Sequence, residues 1–70
     1  MTELENLMQG LLDEITRVTE LITVYETLPK NAGMLGSMMM SRKIDIAKSN
    51  IATGDVIDMI RSYKELKNCE

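Results

Sequence analysis

The sequence predicts an all-α fold in which a long first helix, about residues 3–27, packs against an antiparallel pair of helices, about residues 32–51 and 54–67. Two observations predict this arrangement. Apolar residues recur at alternating spacings of four and three along the first part of the chain, and two short breaks, at Pro29 and at Gly54, divide the remainder. The 70 residues are expected to form one helical domain, residues 1–70.

The first helix is defined by a heptad row of apolar side chains: Leu4, Met8, Leu11, Ile15, Val18, Ile22 and Tyr25. Side chains spaced in this way lie on one face of an α-helix. Further apolar residues make that face wider than one neighbouring helix can cover: Leu7, Leu12, Leu21, Val24 and Leu28. Thr2 and Glu5 form a capping-box pattern at the start of the helix. Gly10 is unfavourable within it unless another helix approaches closely.

The second helix follows Pro29, and Asn31 is its expected cap. Its apolar half is predicted to carry Leu35, Met39, Met40, Ile44, Ile46, Ala47 and Ile51, with Ser37 on the polar half. Met34 and Met38 also fall on the polar half, which indicates either a bent start to the helix or a surface for a partner.

The third helix begins after Thr53-Gly54-Asp55, where Thr53 is the expected cap. Its apolar positions are Val56, Met59, Ile60, Tyr63 and Leu66. The residues after Lys67 are expected to form a frayed tail, which would leave Cys69 exposed and idle.

The small size of the chain favours association with another chain. A chain of 7.9 kDa should expose about 4,400 Å² when folded, and a core of this size is only marginally stable alone. Cys69 is the single cysteine and histidine is absent, which excludes an internal disulfide and a zinc site built from Cys and His. Partner association is the remaining source of stability.

The charges are divided unequally along the chain. Residues 1–29 carry six carboxylates against Arg17 alone, whereas residues 30–70 carry seven basic residues against five acidic ones. The two parts are expected to attract each other, within one chain or between two. The pI of 4.8, together with Asp55 and Asp58 at the start of the third helix, argues against nucleic-acid binding.

The residue inventory offers little for enzymatic chemistry. Without histidine there is no Ser-His or Cys-His pair, and no glycine pattern forms a phosphate-binding loop. We therefore expect no catalytic residue, no metal and no cofactor. The start of the chain has no signal-peptide pattern, and no apolar run is long enough to cross a membrane, so we expect a cytoplasmic protein.

The preferred hypothesis is a non-enzymatic interaction module that forms a homodimer through its surplus apolar residues: Leu7, Leu12, Leu21, Val24, Met34 and Met38. One alternative is a small regulatory or accessory protein that binds a larger protein through Met34 and Met38 or through the acidic face of the first helix. The other is a nucleic-acid accessory factor that uses the second helix.

Overall fold

The chain forms three packed α-helices in the computed structural model, which describes residues 3–69. They are α1 (Glu3–Glu26), α2 (Met34–Thr53) and α3 (Val56–Lys67), and a short 3-10 turn, Pro29–Asn31, links the first two. The predicted all-α fold is confirmed, and the helix boundaries differ from the expected ones by no more than two residues. None of these helices is both long enough and apolar enough to cross a membrane.

The core lies along the axis shared by the three helices. The molecule is elongated, with principal extents of 45 × 18 × 17 Å. Each helix contributes buried residues at spacings of three and four, as expected for helices that present one face to the bundle. The buried apolar side chains are Leu11, Ile15 and Val18 of α1, Met40, Ile44 and Ala47 of α2, and Met59, Leu66 and Cys69 at and after α3.

The predicted apolar half of α2 is partly wrong. Met40, Ile44 and Ala47 are buried, but Leu35, Met39 and Ile46 are exposed by 71%, 53% and 52%. Ser37, expected on the polar half, is buried, and its hydroxyl donates to the Met34 carbonyl oxygen at 3.0 Å. The face of α2 that packs against the other helices is therefore narrower than half of the helix surface. It is centred closer to Ser37 than the predicted apolar half.

The predicted face of α3 needs a similar correction. Met59 and Leu66 are buried, whereas Val56 and Ile60 are exposed by 44% and 41%. Ser62 lies in the core instead, where its Oγ accepts a hydrogen bond from Asn50 Nδ2 at 2.8 Å. A satisfied hydroxyl can be buried at little cost, which is why polarity alone misplaces it.

The helix ends also differ from expectation. The residue at the N-cap of α2 is Gly33, which provides no side-chain cap, while Asn31 lies in the preceding turn with a positive φ of 58°. The N-cap of α3 is Asp55, not Thr53, and its Oδ1 accepts from the backbone N–H of Asp58 at 3.1 Å. Gly54, with φ of 73°, ends α2 in the left-handed conformation that glycine adopts without strain. The predicted cap at Thr2 lies outside the described residues.

Candidate functional site

The third helix is too short to cover the first two. With 24 residues in α1, 20 in α2 and 12 in α3, the helices are about 36, 30 and 18 Å long at 1.5 Å per residue. Because α1 and α2 pair along their length, a stretch of both must extend past α3. The contacts of α3 show which stretch that is.

Along α1, the α3 helix reaches only as far as Arg17. Along this contact, a Cβ added at Gly10 would lie 3.2 Å from Tyr63 Cε2, which is the close helix approach that makes glycine acceptable there. At the other end, the Arg17 guanidinium donates from Nη2 to the Leu66 carbonyl oxygen at 2.8 Å and from Nη1 to that of Cys69 at 3.1 Å. The Leu66 carbonyl oxygen also accepts from the Cys69 backbone N–H at 3.0 Å, so Arg17 adds a second donor there and a donor to the Cys69 carbonyl beyond the helix end.

This contact also corrects the expectation for the tail. Cys69 is 8% exposed, and its Sγ lies 3.5 Å from the Glu65 carbonyl oxygen. Arg17 holds the backbone of this residue against α1, so the thiol is not on a frayed end. Arg17 is itself fixed by Glu14, whose Oε2 lies 2.6 Å from Arg17 Nε.

Along α2, the α3 helix reaches as far as Lys43. Asn50 Nδ2 donates to the Asp58 carbonyl oxygen at 3.2 Å, and two turns closer to the start of α2, Lys43 Nζ pairs with Glu65 Oε2 at 3.3 Å. Lys43 and Asn50 interrupt the predicted apolar half of α2 because they face α3. The first turn of α2 lies beyond the end of α3, whereas Met39 still lines a cleft with the α3 residues Ser62 and Glu65.

The sides of α1 and α2 that face α3 carry apolar side chains beyond the end of α3. On α1, the residues that share this helix side at heptad spacing are Gly10, Glu14 and Arg17, followed by Leu21 and Val24. On α2, the side that carries Asn50 and Lys43 continues to Met39, and Leu35, one turn earlier, lies further round toward solvent. Both helices therefore carry exposed apolar side chains near the end of α3. We call this surface the open groove and define it by Leu21, Val24, Leu35 and Met39.

The side chains of the open groove are accessible. Val24 is exposed by 57%, in addition to Leu35 and Met39, while Leu21 is half-buried and packs against the core. Single exposed apolar residues are ordinary in soluble proteins, but a continuous patch of this kind is a feature of interaction surfaces.

The structure separates the six predicted interaction residues. Leu21 and Val24 lie in the open groove, whereas Leu7 is half-buried and packs against the core. Leu12 is 46% exposed among polar neighbours on the outer side of α1. Met34 and Met38 are exposed by 51% and 62% but lie on another side of α2, away from Leu35 and Met39. Leu35 and Met39, which the helical wheel places on the apolar half of α2, are exposed in the structure and belong to the open groove.

A second depression runs between α2 and α3 on the side away from α1. It has a volume of about 610 Å³, and its apolar part comes from Met39 and Ile46. Its charges are largely balanced within the chain, because Lys43 pairs with Glu65, and Arg61 Nη1 lies 3.7 Å from Asp58 Oδ1. The cleft is therefore an amphipathic surface without a strong field.

Within residues 3–69, no group of three or more histidine, cysteine, aspartate or glutamate side chains is placed to hold a metal ion. Comparison with protein-family models, with curated proteins and with solved structures finds no match for this chain.

Proposed function

We propose that this protein is a non-enzymatic self-association module that acts as a homodimer, with the open groove as its interface. The observation that carries the proposal is that the rows covered by α3 continue beyond its end as Leu21, Val24, Leu35 and Met39. A second chain packed there would bury the side chains that a longer third helix would cover. Such burial supplies the hydrophobic contribution that a small core lacks.

The accessible surface area supports the proposal that a partner covers part of this surface. The chain exposes 5,066 Å², about 650 Å² more than the roughly 4,400 Å² expected for a compact monomer of its mass. A standard protein interface buries about 800 Å² on each partner. The excess surface is therefore close to the area that one dimer contact removes, and the open groove contributes exposed apolar side chains to it.

A larger protein partner is the second candidate, and it is favoured by a different surface. Met34, Tyr25, Leu28 and Ser37 line a depression of about 200 Å³ at the turn between α1 and α2, apart from the groove side of α2. Methionine adapts to varied apolar partners, which suits a regulatory contact. Nucleic acid is a weaker candidate, because Lys43 and Arg61 already face carboxylates. A cytoplasmic location suits a chain with a single cysteine.

Sedimentation equilibrium between about 1 and 100 µM separates these candidates, since a standard interface commonly gives micromolar or tighter affinity. Self-association predicts a mass that rises with concentration from the 7.9 kDa of one chain to that of two. If the protein is a monomer at every concentration, with full helix content and a sharp unfolding transition, this result contradicts the homodimer and favours the larger partner. Salt-dependent binding of DNA or RNA by that monomer would instead favour the nucleic-acid alternative.

A further inference from the structure

The turn between α1 and α2 contains an unfavourable backbone conformation. Lys30 and Asn31 follow each other, each with a φ of 58°, in the left-handed region that glycine adopts freely and that a residue with a Cβ avoids. Asparagine tolerates this region better than most residues do, so the cost falls mainly on Lys30. Such a conformation persists only where the surrounding structure imposes it. Here it is imposed by the return of the chain from α1 into α2.

An opened turn would be extended and not helical. Leu28 is already extended, with a φ of −67° and a ψ of 139°, because Pro29 disfavours the helical conformation in the residue before it. If Lys30 and Asn31 leave the left-handed region, residues 27–33, which connect the two helices, can straighten. A link of this length spans up to about 25 Å, which exceeds the 18 Å width of the molecule. The opened link can therefore carry α1 across to a second copy.

The contacts of α1 can form equally well with a second copy. Arg17 donates to the carbonyl oxygens of Leu66 and Cys69, and Gly10 lies against Tyr63. These partners belong to α3 and its end, and residues 27–33 lie between them and α1 in the chain. The α1 helix of one chain can make the same contacts with α2 and α3 of another, and the reverse exchange completes both units.

We infer that the homodimer forms by exchange of α1 between two copies, with residues 27–33 as the hinge. This inference rests on the proposed self-association. Each link crosses from one unit to the other, so the turn ends of the two units lie side by side. The open groove has Val24 shortly before the hinge and Leu35 shortly after it, so this junction is where its side chains can be covered.

The turn and the junction decide the balance between the closed monomer and the exchanged dimer, because the contacts within each unit are the same in both. Opening the turn releases the strain at Lys30 in each of two chains. A hinge under strain favours exchange of this kind.

Two substitutions at Lys30 test the hinge in the full-length chain. Lys30→Gly removes the Cβ and with it the cost of the closed turn, so the closed monomer becomes more stable relative to the dimer. Lys30→Ala is the matched control, because alanine removes the same charge but keeps the Cβ that makes the left-handed region unfavourable. Lys30 is exposed, so both variants should fold, which circular dichroism checks.

Sedimentation equilibrium measures the dissociation constant of each variant. Since the dimer contains two hinges, Lys30→Gly should raise this constant about 30-fold above that of Lys30→Ala, equivalent to about 2 kcal/mol for the two turns. A contact between two closed chains leaves the turn unchanged, so it predicts equal dissociation constants for the two variants.

The rate of subunit exchange is an independent measurement. In the inferred dimer, α1 must leave one core before it enters another, so mixed dimers of isotope-labelled and unlabelled wild-type chains should form no faster than the protein unfolds. Native mass spectrometry follows the mixed dimer, and circular dichroism after a jump in urea concentration, extrapolated to zero urea, gives the unfolding rate.

Equal dissociation constants for Lys30→Gly and Lys30→Ala would overturn the exchange of α1, as would mixed dimers that form at least about tenfold faster than the protein unfolds. If sedimentation still shows a dimer in that case, the proposed self-association stands and only its geometry is wrong. A wild-type chain that stays monomeric at every concentration would refute the self-association and this inference together.

Discussion

Substituting Leu35 with aspartate is the sharpest perturbation of the proposed interface. Leu35 is 71% exposed in the chain, and burying a whole leucine side chain is worth about 1.5–3 kcal/mol. Closing the groove over it therefore contributes about 1–2 kcal/mol per copy, or about 2–4 kcal/mol for a dimer that contains two. We expect Leu35→Asp to raise the dissociation constant by about 30-fold to 1,000-fold, before the added cost of desolvating the carboxylate.

The substitution should leave the monomer folded. An exposed side chain contributes little to the core, and a carboxylate in the first turn of α2 is favoured by the helix dipole by about 0.5 kcal/mol. Sedimentation equilibrium measures the dissociation constant, and circular dichroism under the same conditions measures the helix content.

Met34→Asp is the matched control. Met34 is 51% exposed and adjacent in the sequence, but it lies on a different side of α2. It should change the dissociation constant by no more than about threefold, the range of an ordinary surface substitution. If Met34→Asp weakens the dimer as much as Leu35→Asp does, or if Leu35→Asp associates like the wild type, the open groove is not the interface.

Three further predictions follow from contacts within the chain, each measured at matched protein concentration because association shifts apparent stability. Arg17→Lys should lower stability by about 1–2 kcal/mol in urea denaturation. The lysine ammonium is a single point of donors, without the spread guanidinium fork that reaches both carbonyl oxygens and without the Nε–H that pairs with Glu14. An unchanged midpoint would contradict this role. Gly33→Ala should lower the free energy of unfolding by about 1–3 kcal/mol, because the added Cβ would overlap the backbone carbonyl of Tyr25. Gly54→Ala should cost less, since it meets only the roughly 1 kcal/mol strain of a positive φ. A larger loss for Gly54→Ala than for Gly33→Ala would refute this explanation. The buried Cys69 thiol should react with a disulfide reagent at least about tenfold slower than in the unfolded chain, and equal rates would show that the tail is open.

Helix number and boundaries could be predicted because local signals set them. Pro29 and Gly54 interrupt the apolar periodicity, and the heptad row of α1 supplies three buried residues: Leu11, Ile15 and Val18. Gly10 is unfavourable in a helix unless a neighbour approaches closely, and Tyr63 is that neighbour. These features depend on backbone preference and on the order of side chains along one helix.

The candidate site was predicted only in part. The width of the apolar face on α1 correctly indicated more apolar surface than the chain covers at Val24, but Leu7 packs inward and Leu12 lies apart from the groove. Leu35 and Met39 were assigned to the core because a helical wheel gives a direction and not the length of the neighbouring helix. Arg17 offered no signal at all, since its partners are the carbonyl groups of Leu66 and Cys69, about fifty residues away.

Three amphipathic helices in antiparallel order follow from the sequence alone, because periodicity, turn residues and glycine act over a few residues. Where α3 ends against α1 and α2 depends on the packed structure, since Arg17 and Lys43 meet partners far along the chain. That end point separates the buried part of each apolar row from its exposed part. The proposed interface is therefore a property of the packed helices, in which the same apolar pattern forms core where α3 reaches and open groove where it does not.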